Sequence, residues 1–429
     1  MIEPDRLPGI AGALRQAARQ FGTPLLVTDA AELARAADEL ELAFPDPTIR
    51  QFSVKANDVP GIVARLGGLG LGANVVSRGE WSVARRAGIP NGRISLEGIG
   101  KTDADLRAAV GASIRNEPLL WTAIESADEA AAFRRIAGPA VKAGAARLDV
   151  LLRFNPAVEP ETLPGLAVGA ERSKFGLADD ELAAAIDAGG GPDGPLRWRG
   201  IHLHVGSQLG AVDAWRDGVR RALALVGLLG GSLPNFDTLD LGGGFPVVDV
   251  GAPAPRPERF ARELDLLLAA LPADRRPARL AIEPGRFLVA RAGYLVAQVL
   301  HVRERGGPMV ILDAGMTELI RPALYGARHA IRALTSGLRP WSGAEPGSSG
   351  PGLTPTSVEG PICESTDSLG SHPLPPLVRG DLVVIRDAGA YASSLASTYN
   401  GRPRAAQVVL EANNTTSVIR RRGRSTTIR

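Results

Sequence analysis

Between about residues 49 and 286 the chain repeats one pattern eight times: a short apolar run suited to a buried strand, then an Ala/Leu/Arg-rich stretch with helical spacing. The runs fall at 51–55, 73–77, 93–97, 121–125, 150–154, 201–205, 239–242 and 280–283, and helical spacing is clear at 103–110, 127–136 and 257–271. Eight alternating units predict an α/β fold, a closed (β/α)8 TIM-like barrel. The same alternation permits an open doubly wound sheet, but the number of units and the placement of polar residues favour the barrel. Barrel chemistry gathers at the C-terminal strand ends. Here those ends read Lys55, Ser77, Arg153, His204-Val-Gly-Ser207, Gly242-Gly-Gly244 and Glu283-Pro-Gly-Arg286.

After Arg286 the pattern changes to β-rich alternation at 294–302, 309–312, 381–386, 406–411 and 417–420, which predicts a second domain of β-sandwich or β-barrel type. The expected division is a barrel over 30–290, with 1–29 and 291–429 in the β-rich domain. A Gly/Pro/Ser-rich stretch, 335–357, reads as a mobile surface insertion, and 420–429 as a frayed basic tail. In 429 residues, 45% hydrophobic and 22% charged is ordinary globular usage, which excludes a disordered or fibrous chain. Lys+Arg 49 against Asp+Glu 46 leaves only +3, so nucleic acid is not an implied partner. The start lacks a basic region followed by an apolar run, and no stretch of about 18 apolar residues occurs, so a cytoplasmic protein without a membrane segment is expected.

Several residues point to chemistry. Only four lysines are present, Lys55, Lys101, Lys142 and Lys174. Lys55, in Phe52-Ser-Val-Lys-Ala-Asn57, closes an apolar run, where burial would lower its pKa and favour Schiff-base chemistry with an aldehyde; a plain surface lysine is the alternative. Gly242–Gly244 after the seventh run would let backbone N–H groups approach a phosphate, with the planar cation of Arg286 after the eighth. Glu283 would suit a pyridinium nitrogen, or else simply pair with Arg286. His202 and His204, two apart on one strand, share a face; they suit a ring stacked on a planar cofactor, or buried hydrogen-bonded histidines, more than a metal site. The single cysteine, Cys363 in Gly360-Pro-Ile-Cys-Glu364, excludes an internal disulfide and a thiolate zinc site, and leaves packing, nucleophilic chemistry or proton transfer. With an unperturbed pKa of about 8.5 it would be mostly protonated near neutrality and able to donate.

Together the motifs resemble the fold-type III pyridoxal-phosphate decarboxylases, with an alanine racemase-like barrel, and within them the diaminopimelate branch. They are Ser53-Val-Lys-Ala-Asn57, Gly72-Ala-Asn-Val-Val-Ser-Arg-Gly-Glu80, Gly98-Ile-Gly-Lys-Thr102, Ser173-Lys-Phe-Gly176, His202-Leu-His-Val-Gly-Ser-Gln208 and Glu283-Pro-Gly-Arg286. The C-terminal half adds Asp313-Ala-Gly, Arg321-Pro-Ala-Leu-Tyr325, Gly360-Pro-Ile-Cys-Glu364 and Asp387-Ala-Gly-Ala-Tyr391, so the similarity spans roughly 22–422.

The resemblance implies pyridoxal 5'-phosphate as cofactor, with Lys55 as the lysine that holds it and His204 stacked on its ring. It implies Ser207, Gly243, Gly244, Arg286 and Tyr391 as phosphate ligands, Glu283 as partner of the ring nitrogen, and Arg153 beside the phenolic oxygen. Arg286, Arg321, Tyr325, Glu364 and Tyr391 look like substrate contacts, and Cys363 like the proton donor. The implied assembly is a homodimer with shared sites, the Cys363–Glu364 loop serving the partner's site; no metal is implied. The implied reaction is decarboxylation of meso-2,6-diaminopimelate to L-lysine and CO2. The sequence departs from the family at Asn74, where aspartate is usual, at Thr317-Glu318, where Asn-Asp is commoner, and in the length of 335–357. These departures leave room for another amino acid, free or carrier-tethered, as substrate. A non-catalytic homologue and a racemase are the further alternatives.

Overall fold

A computed structural model of the chain describes residues 6–162, 164–247, 254–341 and 352–424. They fall into two compact units: residues 36–247 with 254–287, and residues 6–35 with 288–424. The first strand, β1 (Leu25–Asp29), belongs to the second unit.

The next eight strands form the barrel: β2 (Ile49–Ser53), β3 (Gly72–Val75), β4 (Ile94–Leu96), β5 (Trp121–Ile124), β6 (Leu148–Phe154), β7 (Leu196–Leu203), β8 (Thr238–Asp240) and β9 (Arg279–Ile282). Each runs parallel to its neighbours, and β2 closes on β9 through Ile49 opposite Ala281 and Arg50 opposite Ile282. All eight predicted runs are strands, with ends shifted by a few residues. Their sequences run apolar without alternation because both faces are covered: Phe52, Ala73, Ile94, Trp121, Leu151 and Ile201 are fully buried.

Three of the βα turns close with the same device. Ser77 accepts a hydrogen bond from the Glu80 N–H at 3.2 Å while the Glu80 carboxylate accepts from the Val76 N–H at 2.9 Å. Ser126 and Glu129 repeat it at 3.1 Å, with Glu129 reaching back to the Glu125 N–H at 2.7 Å. Thr102 and Asp105 form a capping box. Satisfying these orphan donors fixes helix starts at the C-terminal ends of β3, β4 and β5, the rim where the chemistry lies.

In the second unit β1 lies inside a nine-stranded mixed sheet, parallel to β18 (Ala406–Leu410) and antiparallel to β10 (Gly293–Glu304). The first half of β10 also pairs with β17 (Leu382–Ile385), and its second half with β11 (Pro308–Leu312) after an irregularity at Val299–His301. β12 (Ile331–Ala333) continues from β17, β15 (Thr354–Glu359) and β16 (Ser368–Leu374) from β11, and β19 (Thr416–Arg420) from β18. One apolar cluster draws on both halves, with Leu295, Val383 and Ile385 from one and Val310, Val358 and Leu369 from the other. The helix Leu7–Phe21 packs Ile10, Leu14 and Ala17 against Leu25, Val27 and Val408. No helix among the described residues is long and apolar enough to cross a membrane.

Two expectations are corrected here. The ends of the 335–357 stretch are ordered structure: β13 (Thr335–Ser336) pairs with β14 (Arg339–Pro340), and β15 begins at Thr354. Thr335 is buried because its hydroxyl donates to Asp381 at 2.8 Å, so turn composition hid a strand end that Asp381 holds. Residues 342–351 lie outside the described ones. The tail is tied down as far as Arg422, which donates to the Gly22 and Pro24 carbonyls at 3.0 and 2.9 Å; residues 425–429 lie outside the description.

Candidate active site

The C-terminal end of the barrel gathers an unusual set of buried acids. Glu283 follows β9, Glu97 follows β4, Asp240 ends β8 and His202 lies on β7, all almost fully buried. The His202 Nε2 is 3.0 Å from Glu97 Oε2 and 3.3 Å from Glu283 Oε2. The other Glu283 oxygen accepts from the Asn74 amide at 2.6 Å, and that amide also reaches Ser95 Oγ at 3.3 Å. Ser53 Oγ donates to Asn74 Oδ1 at 3.2 Å, which fixes which end of the amide faces Glu283. Asp240 accepts from the Gly242 N–H at 3.0 Å. Burial, then the charge of Glu283, push the Glu97 carboxyl up to about 8, and burial with the same neighbours pushes Asp240 well above its ordinary range. Burial takes His202 down to about 4, so it is neutral at physiological pH. The Glu97 carboxyl therefore keeps its proton near neutrality.

Beside this network lies a glycine loop with a serine and an arginine next to it. Gly242 and Gly244 have φ of +63° and +103°, and a Cβ on Gly243 would stand 2.4 Å from the Glu283 carbonyl oxygen, so side chains are excluded where the loop crosses the strand ends. Phe245 anchors the loop edge-on against Phe260 and Phe44, at ring distances of 5.3 and 5.5 Å. Arg286 Nη2 donates to Ser207 Oγ at 3.2 Å, and the Gly243 N–H donates to His204 Nδ1 at 3.3 Å. Burial and the nearby Lys55 and Arg153 charges hold His204 well below the ordinary histidine range. Arg153 is buried at the end of β6, paired with Glu125 and lying over the Phe175 ring at 4.7 Å. The other Glu125 oxygen accepts from the Gly176 N–H at 3.0 Å, so this carboxylate joins Arg153 to the Ser173-Lys-Phe-Gly176 loop.

Lys55 corrects an expectation. β2 ends at Ser53, and Lys55 sits in the 3-10 turn Val54–Ala56, exposed between two buried neighbours. The Ser53 N–H bonds to the Pro284 carbonyl at 3.1 Å, after which the chain leaves the barrel wall, so the amine is in the open mouth rather than buried.

The remaining predicted site residues lie in the second unit. Arg321 and Tyr325 are four apart on the short helix Arg321–Tyr325, hence on one face, and Arg321 bonds to His329 at 3.2 Å. Tyr391 has a left-handed φ of +59° in a turn entered through Asp387, φ +56°. Cys363 and Glu364 are exposed, with Asn400 donating to Sγ at 3.3 Å and the Tyr399 hydroxyl to the Glu364 carboxylate at 2.6 Å. Asp367, which sequence reasoning missed, holds this loop: its carboxylate accepts from the Ile362 and Met316 N–H groups at 2.8 and 2.6 Å. Cβ atoms on Gly315 or Gly360 would meet it at 2.3 or 2.2 Å.

Sequence reasoning also missed Glu97, Asp240 and Glu125, although each ends or follows a barrel strand. The strand-end rule that singled out Glu283 applies equally to them. The first unit thus brings together the Lys55 amine, an acid network facing the barrel axis, and a set of glycine backbone, serine and arginine. That donor set fits a phosphorylated aldehyde with a basic ring nitrogen, and defines a barrel enzyme of the pyridoxal-phosphate-dependent class.

Residues 30–290 match the family described as pyridoxal-dependent decarboxylase, pyridoxal binding domain. The diaminopimelate decarboxylase of Aquifex aeolicus is 35% identical over 413 residues, covering 96% of this chain and 91% of that protein. That of Actinosynnema pretiosum subsp. auranticum is 36% identical, covering 90% and 84%. A solved structure of Helicobacter pylori diaminopimelate decarboxylase, complexed with L-lysine, matches with a TM-score of 0.84 at 29% identity, covering 96% of this chain and 97% of that one. The chain belongs to the pyridoxal-dependent decarboxylases, and pyridoxal 5'-phosphate is its cofactor.

Proposed function

We propose that this chain decarboxylates meso-2,6-diaminopimelate to L-lysine and CO2. What carries the reading is similarity to diaminopimelate decarboxylases over nearly the full length, 96% of the chain in one case, so that it takes in the second-unit residues as well as the barrel. In this reading Lys55 holds the cofactor, His204 packs on its ring, and Arg153 lies near its phenolic oxygen. Ser207, Gly243, Gly244, Arg286 and Tyr391 bind its phosphate, and Glu283 partners the ring nitrogen. The bound cofactor supplies an electron sink for the electrons left when CO2 departs.

The chain's own residues supply the rest. Arg321 and Tyr325 present a cation and a phenol from one helical face to the distal carboxylate, and Glu364 takes the distal amine. Arg286 and Tyr391 also contact the substrate. Cys363 delivers a proton from Sγ to the substrate carbon that has lost CO2. Its exposure, with Glu364 beside it on a loop held by Asp367, suits delivery to the site of a second copy, so the reading includes a homodimer with shared sites. It also includes a cytoplasmic location.

The test is mass-spectrometric product analysis of the cofactor-loaded protein with meso-diaminopimelate, L-ornithine, L-lysine and carrier-tethered amino acids, using Lys55→Ala as control. Lysine formed from diaminopimelate alone, and only with Lys55 in place, is the expected result. Faster turnover of an amino acid without a distal carboxylate overturns the substrate assignment. Arg321→Ala is expected to raise KM for diaminopimelate about 100-fold, the loss of one charged hydrogen-bonded pair worth about 3 kcal/mol.

A further inference from the structure

The catalytic roles above leave unused a tightly buried carboxyl at the barrel mouth. Glu97 is 3% exposed, and its Oε1, like the Nδ1 of His202, has no hydrogen-bond partner among the described residues. One atom each of Glu97, His202 and Glu283 lie within 4.8 Å of one another. Neutral His202 has one N–H to give, and two carboxyl oxygens stand within reach of its Nε2, the nearer belonging to Glu97. Two ionised carboxylates cannot both face one N–H in a dry site at acceptable cost.

We propose that Glu97 is a positioning residue for decarboxylation: by holding its own proton beside His202, it leaves the His202 N–H to orient Glu283 toward the ring nitrogen of the bound cofactor. This rests on the assignment of Glu283 to that nitrogen. While Glu97 keeps its proton, the His202 N–H is free to hold Glu283 Oε2 as the Asn74 amide holds Oε1. When Glu97 ionises it becomes the nearer acceptor, captures the N–H and adds a second charge beside Glu283. The groups facing the cluster are Lys55 after β2, the uncharged Asn74 on β3, Glu125 after β5, Arg153 on β6, His204 after β7 and Asp240 on β8. None of these stands between Glu97 and His202.

The experiment compares wild-type, Glu97→Gln and Asn74→Asp holoenzymes from pH 6 to 9.5. It reads the visible absorbance of the bound cofactor without substrate, then kcat and KM separately. With Glu97 titrating at about 8, the wild type should show an absorbance transition there and keep about one tenth of its neutral kcat at pH 9. Gln cannot ionise and still offers a donor. Its absorbance transition should vanish, its neutral kcat stay within about threefold, and its relative kcat at pH 9 exceed the wild type's about tenfold, with KM unchanged. Asn74→Asp adds a carboxyl to the cluster and should move the transition to higher pH, a readout independent of whether the Gln variant folds. A transition of wild-type position in either variant overturns the proposal. If the wild type forms no absorbance band or no lysine, the functional reading fails; a band and lysine with an unmoved transition sink only the role of Glu97.

Discussion

Replacing Glu125 by alanine isolates one buried ion pair whose worth follows from its surroundings. The Glu125 side chain is 2% exposed and that of Arg153 8%, and the carboxylate also accepts from the Gly176 N–H. Removing it leaves a guanidinium in a low-dielectric wall without its counter-ion, at a cost of about 3–5 kcal/mol, with about 1 kcal/mol more for the stranded N–H. At about 2–4 °C per kcal/mol, the barrel transition of the cofactor-free protein should fall by about 8–24 °C. Replacing both partners, Glu125→Leu with Arg153→Met, should recover most of that loss, because no charge is then left buried. Burial alone would raise the Glu125 carboxyl, but Arg153 and Lys101 outweigh it and the net position is below the ordinary value. A lowered native pKa stabilises above the unfolded value of about 4.3, and that stabilisation disappears as pH falls through the native value. The gap between wild type and Glu125→Ala should therefore be constant near neutrality and close below about pH 4. The assay is denaturation followed by circular dichroism across pH. A single-variant loss under about 1 kcal/mol, or a double variant no more stable than the single, would refute the argument.

Two further outcomes test the second unit. Asp367→Ala strands the buried Ile362 N–H and the Met316 N–H, and should speed amide exchange across 360–367 by at least tenfold while lowering kcat; unchanged exchange would show that the carboxylate does not hold the Cys363 loop. Gly389→Ala would place a Cβ 1.7 Å from the Val289 carbonyl oxygen, so the turn carrying Tyr391 must move; a loss of about 3 kcal/mol in denaturation is expected, and a variant of wild-type stability would refute that packing.

The chain's sequence already determines the barrel, because eight apolar runs separated by helical stretches have few other ways to bury both faces of each strand. It also determines the βα turns, since Ser77 with Glu80 and Ser126 with Glu129 are local signals three residues apart. The placement of Gly242–Gly244 and Arg286 is legible too, as they are strand-end residues in consecutive units. For Lys55 the sequence leaves a buried and a surface lysine both open, because its exposure depends on where the β2 hydrogen bonds to the closing strand stop. β1 was invisible as a strand: five residues that pair with β10 and β18 have partners more than 250 positions away. The same is true of the chemistry that matters most. Glu97, His202 and Glu283 come from β4, β7 and β9, and Glu125 comes from one βα unit with Arg153 and Gly176 from the next. Local pattern determines which residues end a strand, but only closure and register of the barrel decide which strand ends face each other and how deeply they are buried, and the electrostatics of the acids follows from both.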